Sequence, residues 1–394
     1  MLTTNSINNI LGLPELKIIK TYTVKRITRV FVCEKIPKAE NCPYCASSKN
    51  WVHQYIKVKI KDEPLRGKPV YLEIRKRRLK CCSCKKVFNE PVPGILKRSR
   101  FTHRFKRSLR WACKTFDNMT KVKKQYGCSN GTLYRHFYER LEADVKAKLN
   151  YAWPKHVGID EHLFKKENGH NIFASLVVDH VNKRPFELVE GKRVDDLKVD
   201  LRHIPGRENV KYVTTDLADP YKKFVKEFFP NAEVVADKFH VLRLLTPHLL
   251  RVRKEITGTR ADAKAKRLLT MSSKNLDYKK RRAIWFYLEK QPYLKELYFY
   301  KEAMHKLYRI KGYGRAREAL NKLIDEMGRS QLKEIKTLRG TLRKWKEEIL
   351  NYFATRLTNA RVEGFNNLAK LLKRKGFGFK SFKNYRLRVL NLAI

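Results

Sequence analysis

The sequence predicts a multidomain α+β protein, and three observations lead to this fold class. Two Cys-x-x-Cys pairs enclose a stretch of alternating apolar and polar residues, a short basic helical region follows, and a longer region then alternates strand-like and helix-like segments. At 394 residues the chain is long for one core, since domains commonly hold about 150 residues. We expect two or three domains, formed by five segments: 1–95, 96–150, 151–240, 241–355 and 356–394.

The charge of the chain points to a polyanionic partner. Lysine and arginine total 89 against 39 acidic residues, a formal net charge of +50. Like charge on this scale opposes compaction unless a polyanion neutralises it, so we expect the partner to be nucleic acid. Composition alone does not separate an enzyme from a ribosomal or purely structural nucleic-acid-binding protein. No apolar run approaches the ~18 residues that cross a bilayer, and residues 1–20 lack the pattern of a secretion signal. These features predict a soluble, cytoplasmic protein without a membrane partner.

The N-terminal segment, 1–95, is predicted to be a zinc ribbon. Strand-like alternation covers 16–32, 51–60 and 70–79, and the last two stretches lie between the cysteine pairs. Eight unevenly spaced cysteines in a chain of this size favour reduced thiols and metal ligation over a disulfide framework. Four thiolates on two tight turns can close a tetrahedral structural Zn²⁺ site. The expected ligands are Cys42, Cys45, Cys81 and Cys84.

The second cysteine pair leaves one alternative open. Cys82 could replace Cys81 as a ligand, although only Cys81 keeps the two-residue spacing to Cys84. The remaining cysteines, Cys33, Cys113 and Cys128, are isolated and are expected to be core or surface thiols, while His53 is expected to be a strand residue.

The next segment, 96–150, is predicted to be a helix-turn-helix. It is helical and basic from Leu96; later, Gly127 breaks one helix and Ser129 is positioned to cap the next. Apolar residues then recur at helical spacing at 133, 137 and 141. The start of a recognition helix contacts base edges, whereas Arg100 and Arg104 before it would hold phosphates. The expected DNA-contacting residues here are Ser129, Asn130, Gly131, Thr132, Tyr134 and Arg135. The alternative is a plain helical hairpin.

The segment 151–240 is predicted to be an α/β domain with acids at strand ends. Three strands, 153–160, 171–179 and 185–190, precede a helix at 194–203 and two further strands that end on Asp216 and Asp237. The order β-β-β-α-β-α-β is that of a ribonuclease-H-like domain, in which the first and fourth strands are neighbours. Asp160 and Asp216 should therefore lie side by side. Singly, Asp160 could instead be a turn residue, and Asp216 a helix N-cap.

A third acid is expected from a later helix, because two Mg²⁺ ions need several carboxylates to hold them. On a helix, Asn359, Glu363 and Asn367 would form one polar stripe flanked by apolar residues. The region between, 241–355, has little strand signal and is predicted to be an all-α insertion that interrupts the catalytic domain. Its tryptophans are expected in the core. The basic stretch 370–388 is a candidate for phosphate contacts.

Several motifs together resemble one family of proteins. They are GIDE at 158–161, Asp216 with Pro220-Tyr221, PNAEVVADKFHV at 230–241, TNARVEGFNN at 358–367, and GFGFKSFKNYRLRVL at 376–390. With CPYC, RLKCCSCKKVF and SRFTHRF, they resemble DDE-type insertion-sequence transposases of the ISL-three family, whose members begin with a zinc ribbon. The resemblance covers nearly the whole chain. One departure is Cys82, where the family often has a proline or a polar residue.

The resemblance implies a site, a cofactor and a function. Asp160, Asp216 and Glu363 would hold two Mg²⁺ or Mn²⁺ ions, with Asp237 and His240 in a supporting role as an Asp-x-x-His motif. The expected function is a bacterial, nucleoid-associated transposase that binds its terminal inverted repeats, cuts there and joins the ends to target DNA. A homodimer is expected because two DNA ends must be handled together. The alternatives are an inactive DNA-binding regulator and a structure-specific nuclease.

Overall fold

The computed structural model describes residues 12–95, 99–115, 118–148, 152–258 and 263–392. Within them the chain forms two compact units of mixed α and β structure. The first comprises the residues up to Asp144 together with Leu372–Phe379, and the second comprises Val145–Leu371 and the residues from Lys380 onward. No helix in the described ranges is long and apolar enough to cross a membrane.

The first unit contains a five-stranded sheet. Its strands are β1 Leu16–Val24, β2 Thr28–Lys35, β3 Asn50–Leu65, β4 Lys68–Cys81 and β5 Val87–Asn89. The order is β1-β2-β4-β3, with β5 also paired to β4, and only the β2–β4 pairing is parallel. The alternation predicted for the β3–β4 hairpin is confirmed. Leu72 and Ile74 on β4 are fully buried, because alternate strand residues face one side of the sheet.

Three helices follow in this unit: α1 His103–Thr115, α2 Met119–Tyr126 and α3 Asn130–Lys148, which runs past the end of the unit. The prediction that helix begins near Leu96 is wrong for the described residues before His103, while 96–98 lie outside the described ranges. Residues 100–102 are extended instead and pair with Lys61 of β3. The Lys61 amide donates to the Arg100 carbonyl at 2.9 Å, and the Thr102 amide donates to the Lys61 carbonyl at 3.1 Å. The Thr102 hydroxyl then accepts from the Phe105 amide at 3.1 Å and caps α1.

The second unit is built on another five-stranded sheet. Its strands are β6 His156–Glu167, β7 His170–Asp179, β8 Arg184–Glu190, β9 Tyr212–Thr215 and β10 Glu233–Ala236. The order is β10-β9-β6-β7-β8, so the first and fourth strands of this unit are neighbours, as predicted. Strands β6, β9 and β10 are parallel, whereas β6–β7 and β7–β8 are antiparallel.

Asp160 does not end its strand, contrary to the prediction. β6 continues to Glu167, because residues 157–167 pair with 170–179 in one long hairpin that extends well beyond the short strand β9. Asp160 therefore lies inside β6, where that strand passes the end of β9.

The remaining elements are helical. They are α4 Val194–Leu201, α5 Asp219–Phe228, α6 Lys238–Arg243, α7 Thr246–Thr257, α8 Ala263–Thr270, α9 Tyr278–Glu289, α10 Pro292–Leu307, α11 Tyr313–Glu326, α12 Lys333–Lys344, α13 Lys346–Thr355, α14 Ala360–Lys375 and α15 Phe382–Leu390. The described part of 241–355 holds helices and no strand, as predicted, although the boundary expected after residue 240 falls within α6. Trp345 is buried as expected, but Trp285 is 55% exposed.

Helix α14 lies against β6 at a glycine. A Cβ added to Gly158 would be 2.5 Å from Cγ2 of Val362 and 2.9 Å from Oγ1 of Thr214, which is closer than atoms can pack. The missing side chain therefore lets α14 approach the strand that carries Asp160.

Helix α15 packs on β8, where Arg386 pairs with Glu187. Arg388 is 7% exposed. The expectation that 370–388 contacts phosphates is therefore wrong for these two arginines.

Candidate active site and zinc site

The four predicted zinc ligands lie together in the first unit. The sulfur atoms of Cys42, Cys45, Cys81 and Cys84 are all within 4.8 Å of one another. Sγ of Cys42 is 3.5 Å from Sγ of Cys84, and Sγ of Cys45 is 3.6 Å from Sγ of Cys81. Bonds of ~2.3 Å to a tetrahedral Zn²⁺ require separations of this size. The donor set and its geometry fit zinc.

Two turns of the same construction hold these sulfurs. The Cys42 amide donates to Ser47 and the Cys42 carbonyl accepts from Ala46; Cys81 makes the corresponding bonds with Lys86 and Lys85. Ala46 and Lys85 both have positive φ, 58° and 60°. In the second turn the amides of Cys84 and Ser83 stabilise the Cys81 thiolate and lower its pKa to about 6. The backbone therefore prepares a thiolate for the metal.

Cys82 lies outside this cluster. It is exposed, and its amide donates to the Lys49 carbonyl at 2.9 Å. The alternative in which Cys82 replaces Cys81 is therefore wrong for this structure. Cys33, Cys113 and Cys128 are buried, and His53 lies on β3, as expected.

In the second unit, the strand register brings two predicted acids side by side. Gly158 of β6 pairs with Thr214 of β9, and Asp160 and Asp216 each lie two residues further along the chain. The negative charge of Asp160 acts on the pKa of Asp216, so the two carboxylates lie close to one another. Asp216 follows the last residue of β9 and does not cap α5, whose N-cap is Ala218. Acids at the carboxyl ends of neighbouring parallel strands face the crevice where ligands bind in open α/β sheets.

The negative charges of this buried pair are offset only in part by His240. Burial, followed by the negative charges of Glu161 and Asp160, raises the pKa of Asp216 to about 6, against a partial opposing effect of His240. Burial also raises the pKa of Asp160. The Oδ1 atom of Asp216 is buried and has no hydrogen-bond partner. A buried carboxylate oxygen without a partner is costly, and a divalent cation bound by carboxylates would satisfy it. The acids therefore fit a divalent cation.

Asp237 and His240 form a unit beside these acids. Asp237 is 2% exposed and accepts from the His240 amide at 3.2 Å, while its Oδ2 is 3.0 Å from Nδ1 of His240. Burial opposes ionisation of Asp237, but the hydrogen bonds from His240 and Asn359 outweigh it and lower its pKa. The bond to Asp237, with the nearby charges of Asp216 and Asp160, raises the pKa of His240. His240 thus brings positive charge toward the acids.

Asn359 joins this unit to the sheet. Asn359 is 3% exposed. Its backbone N–H donates to Oδ1 of Asp237 at 2.9 Å, and its side-chain Nδ2 donates to the Ile159 carbonyl at 3.1 Å. Its Oδ1 accepts from the Thr214 hydroxyl. Asn359 thus makes three hydrogen bonds, which connect it to β6, to β9 and to Asp237, the residue after β10.

Glu363 and Asn367 are not gathered with the two aspartates. Both are exposed, and among the described residues the only cluster of three or more metal-ligating groups is the cysteine cluster. The buried amide next to Asp160 is instead Asn366, whose Nδ2 donates to Oδ2 of Asp160 at 3.0 Å. The assignment of Asn367 as a supporting residue is therefore wrong by one position. The reason is helical phase: Val362 faces the sheet, and the residue four further on faces it too.

Sequence reasoning also missed the partners of the aspartates. Glu161 lies beside Asp160 and accepts from the Tyr221 hydroxyl at 2.7 Å. His162 contacts Asn366 at 2.8 Å and Tyr385 at 2.7 Å. The strand period of two could have signalled His162, because Gly158, Asp160 and His162 share one face of β6. Nothing local indicates Tyr385, which is 223 residues distant in sequence.

The helical region of the first unit places most of its predicted residues at the surface. Ser129 caps α3 by accepting from the Thr132 amide at 3.2 Å, as predicted, and Gly127 ends α2 in the left-handed conformation. At the start of α3, Asn130, Gly131, Tyr134 and Arg135 are exposed and Thr132 is partly buried. Arg100 is exposed as well. The expectation that Arg104 holds a phosphate is contradicted, because its guanidinium pairs with buried Asp62 of β3.

Comparisons with known proteins match both metal-binding regions. A family model described as a transposase, of the ISL3 group, matches residues 157–389, and a model described as the zinc-finger of transposases IS204, IS1001, IS1096 and IS1165 matches residues 38–84. The chain is 23% identical over 362 residues to the transposase for IS1001 of Bordetella parapertussis, covering 88% of this chain and 87% of that protein. It is 24% identical over 274 residues to the transposase for IS1557 of Mycobacterium tuberculosis, covering 61% of each.

Both matched families consist of insertion-sequence transposases, and together they cover the cysteine cluster and the acid-bearing sheet. The chain belongs to the ISL3 family of transposases. Membership in this family implies a protein that binds DNA and an enzyme that cleaves or transfers it, and the four-cysteine ribbon supports a structural Zn²⁺.

Proposed function

We propose that this chain is the transposase of an insertion sequence and that it cuts and joins DNA through a ribonuclease-H-like DDE site. The observation that carries the proposal is the position of Asp160 and Asp216, each two residues beyond the Gly158–Thr214 pair of neighbouring parallel strands, with one buried Asp216 oxygen lacking a partner. The sheet order β10-β9-β6-β7-β8, with the helix α14 packed on β6, supports the fold assignment.

Glu363 completes the proposed triad from α14. Val362 lies against Gly158, so the helix is closest to the sheet one residue before Glu363. The exposed Glu363 side chain is therefore free of the packing that holds Val362, and a change of rotamer can direct it toward the acids. We expect this movement when metal and DNA are present, because metal binding draws carboxylates together.

In this mechanism Asp160, Asp216 and Glu363 would hold two Mg²⁺ or Mn²⁺ ions. When bound, the ions would activate water or a 3′-hydroxyl for in-line attack and stabilise the leaving oxygen. Asp237 orients His240 and favours its protonated form by raising its pKa, and a protonated ring beside the acids would favour the approach of a phosphate. A groove of about 480 Å³ next to these acids is lined by three basic residues, Lys192, Arg193 and Lys223, and by three acidic ones, Glu161, Asp195 and Glu227.

DNA recognition is assigned to the first unit. Helices α2 and α3, joined through Gly127, would form a helix-turn-helix whose exposed residues at the start of α3 contact the terminal inverted repeat. Arg100 would bind phosphate. Because two ends must be cut and joined together, we expect a homodimer on DNA.

One assay tests the catalytic proposal. Full-length protein is incubated with linear DNA that carries the ends of its own element and with Mg²⁺ or Mn²⁺. Wild-type protein should nick specifically at the ends and join the 3′-ends to target DNA, and Asp216→Asn should do neither. The matched control is Asp219→Asn, which neutralises a nearby exposed acid that pairs with Lys344 outside the site.

The outcomes separate the competing functions. End binding without cleavage by the wild type would identify a DNA-binding regulator, and cleavage without preference for the element ends would identify a nuclease. Cleavage that persists in Asp216→Asn would refute the assignment of the site.

A further inference from the structure

A line of buried polar side chains runs from Asp160 into the second unit. Nδ2 of Asn366 donates to Oδ2 of Asp160 at 3.0 Å, and Oδ1 of Asn366 is 2.8 Å from Nδ1 of His162. Nε2 of His162 is 2.7 Å from the Tyr385 hydroxyl. Asn366 and His162 are each 2% exposed and Tyr385 is fully buried. Three elements, β6, α14 and α15, thus meet in one chain of hydrogen bonds.

The hydrogen bonds in this line have a defined direction. With Asp160 ionised, Asn366 must turn its amide nitrogen to the carboxylate and its oxygen to His162. Nδ1 of His162 must then carry a proton, and in the neutral ring Nε2 accepts from the Tyr385 hydroxyl. Every donor points toward Asp160. Tyr385 therefore donates into a relay that fixes the orientation of Asn366.

The surroundings of this line are apolar. The Tyr385 ring stacks on Phe164 with 5.1 Å between ring centroids, and Phe382 meets Phe164 edge-on at 5.3 Å. Polar groups buried in such surroundings are costly unless each is satisfied, and aromatic or aliphatic side chains would fill the same space without that cost. The line ends on the Asp160 carboxylate, which the proposed reaction uses, so these polar groups have a role at the site in addition to packing.

We infer that Asn366, His162 and Tyr385 are positioning residues that hold the Asp160 carboxylate in its metal-binding orientation. This inference rests on the proposed function. The Glu161 amide fixes Oδ1 of Asp160 at 2.9 Å, and Asn366 fixes Oδ2, so the carboxylate plane is held at both oxygens. Each oxygen keeps a further lone pair for a cation. Groups that orient a metal ligand in this way commonly change metal affinity when they are removed.

Two substitutions at His162 test the direction of the relay. In His162→Asn the side-chain amide nitrogen can occupy the place of Nδ1 and keep the donor to Asn366. In His162→Gln the amide reaches the place of Nε2 and loses that donor. The readout is the affinity of zinc-loaded full-length protein for Mn²⁺, measured from the electron paramagnetic resonance signal of the free ion.

We expect His162→Gln to weaken the Asp216-dependent Mn²⁺ binding about 10- to 100-fold, and His162→Asn to weaken it only a few-fold. Thermal unfolding of the metal-free variants shows whether both remain folded. Equal Mn²⁺ affinities in the two folded variants would overturn the inference.

A second pair of variants keeps the test decisive if His162→Gln does not fold. Tyr385→Phe removes only the hydroxyl that donates to Nε2 of His162 and should lower Mn²⁺ affinity several-fold. Tyr300→Phe is the matched control, since it also removes one buried hydroxyl, which donates to the Glu326 carbonyl at 3.2 Å away from the relay. Equal affinities in these two variants would overturn the inference. Mn²⁺ binding by the wild type that is unchanged in Asp216→Asn would instead overturn the proposed function.

Discussion

The cysteine cluster and the acid-bearing site of this chain differ in how complete they are in the absence of metal. In the ribbon, four sulfur atoms lie within 4.8 Å of one another on two turns of matching geometry. In the α/β unit, Asp160 and Asp216 are aligned by strand register, but Glu363 remains exposed. A structural site is closed by its own fold, whereas a catalytic site keeps positions open for substrate. On the function proposed above, we expect the acid site to be completed only when cation and DNA are present.

The largest effect expected from this comparison is in the ribbon. Cys81→Ser removes a thiolate from the closed site, and structural zinc sites of this kind contribute about 10–16 kcal/mol to folding. We expect loss of bound zinc and unfolding of the ribbon. Zinc release is measured with a chromogenic chelator, and unfolding is measured by proteolytic cleavage within residues 25–90. Strong chelators should reproduce the effect in the wild type. A stable, zinc-free Cys81→Ser ribbon would contradict the comparison.

The next effect concerns the open site. Asp216→Asn should lower end cleavage by at least about 10³-fold, because metal-assisted charge stabilisation is worth several kcal/mol. The fold should be retained, since the Asp216 Oδ1 atom makes no hydrogen bond to be lost. Cleavage rates and thermal unfolding measured on the same preparations check both statements. Loss of folding would mean that the acid site, too, is a structural one.

A smaller effect is expected where the acid site is joined to the sheet. Asn359→Ala removes the two side-chain hydrogen bonds to Thr214 and Ile159 and leaves buried groups unsatisfied, so it should lower the free energy of unfolding by about 1–3 kcal/mol. Asn367→Ala, at an exposed position of α14, the helix that begins directly after Asn359, should change it by less than about 0.5 kcal/mol. Denaturant unfolding of the two variants compares them. Equal losses would show that the polar stripe predicted from the sequence is the correct description.

The pH dependence of the open site should be modest and of opposite sign for stability and for metal binding. The folded pKa of Asp216 is raised to about 6 from 3.8, so the folded state favours the protonated acid, and the metal-free protein loses stability as pH rises from about 4 to 6. Cations need the ionised acid, so Mn²⁺ affinity should fall below pH 6. Unfolding and Mn²⁺ titrations between pH 4.5 and 8 test this. In Asp216→Asn the pH dependence of stability should be weaker, with the raised pKa of Asp160 accounting for what remains.

The smallest effect is expected at Cys82. Because this exposed thiol lies outside the cluster, Cys82→Ser should leave zinc content and thermal unfolding unchanged. Metal analysis of the purified variant decides the point, and a loss of zinc would show that the register of the second turn differs from the one described.

Local patterns in the sequence were sufficient for much of the fold. Cysteine spacing identified the four zinc ligands, and alternation identified the β3–β4 hairpin, because both signals lie within a few residues. The strand order followed from the succession of elements. The extent of β6 did not, since it depends on pairing with β7 beyond the end of β9.

The candidate site was predicted less completely, for a related reason. Asp160 lies on a recognisable strand and Asp216 follows one, but Asn366 was missed in favour of Asn367 because helix phase is set by the contact of Val362 with Gly158. Tyr385 and His162 meet across 223 residues of sequence. Arg104 is basic and near the helices, yet its partner Asp62 lies on β3. Such partners depend on tertiary packing, which a single sequence does not display.

Gly158 has a consequence for how the catalytic site could vary. It has no functional group, yet it sets the spacing between β6 and α14, and that spacing determines whether Asn366 reaches Asp160. A methyl group at this position would clash with Val362 and push α14 away from β6. The geometry around Asp160 therefore depends on a residue that has no side chain of its own.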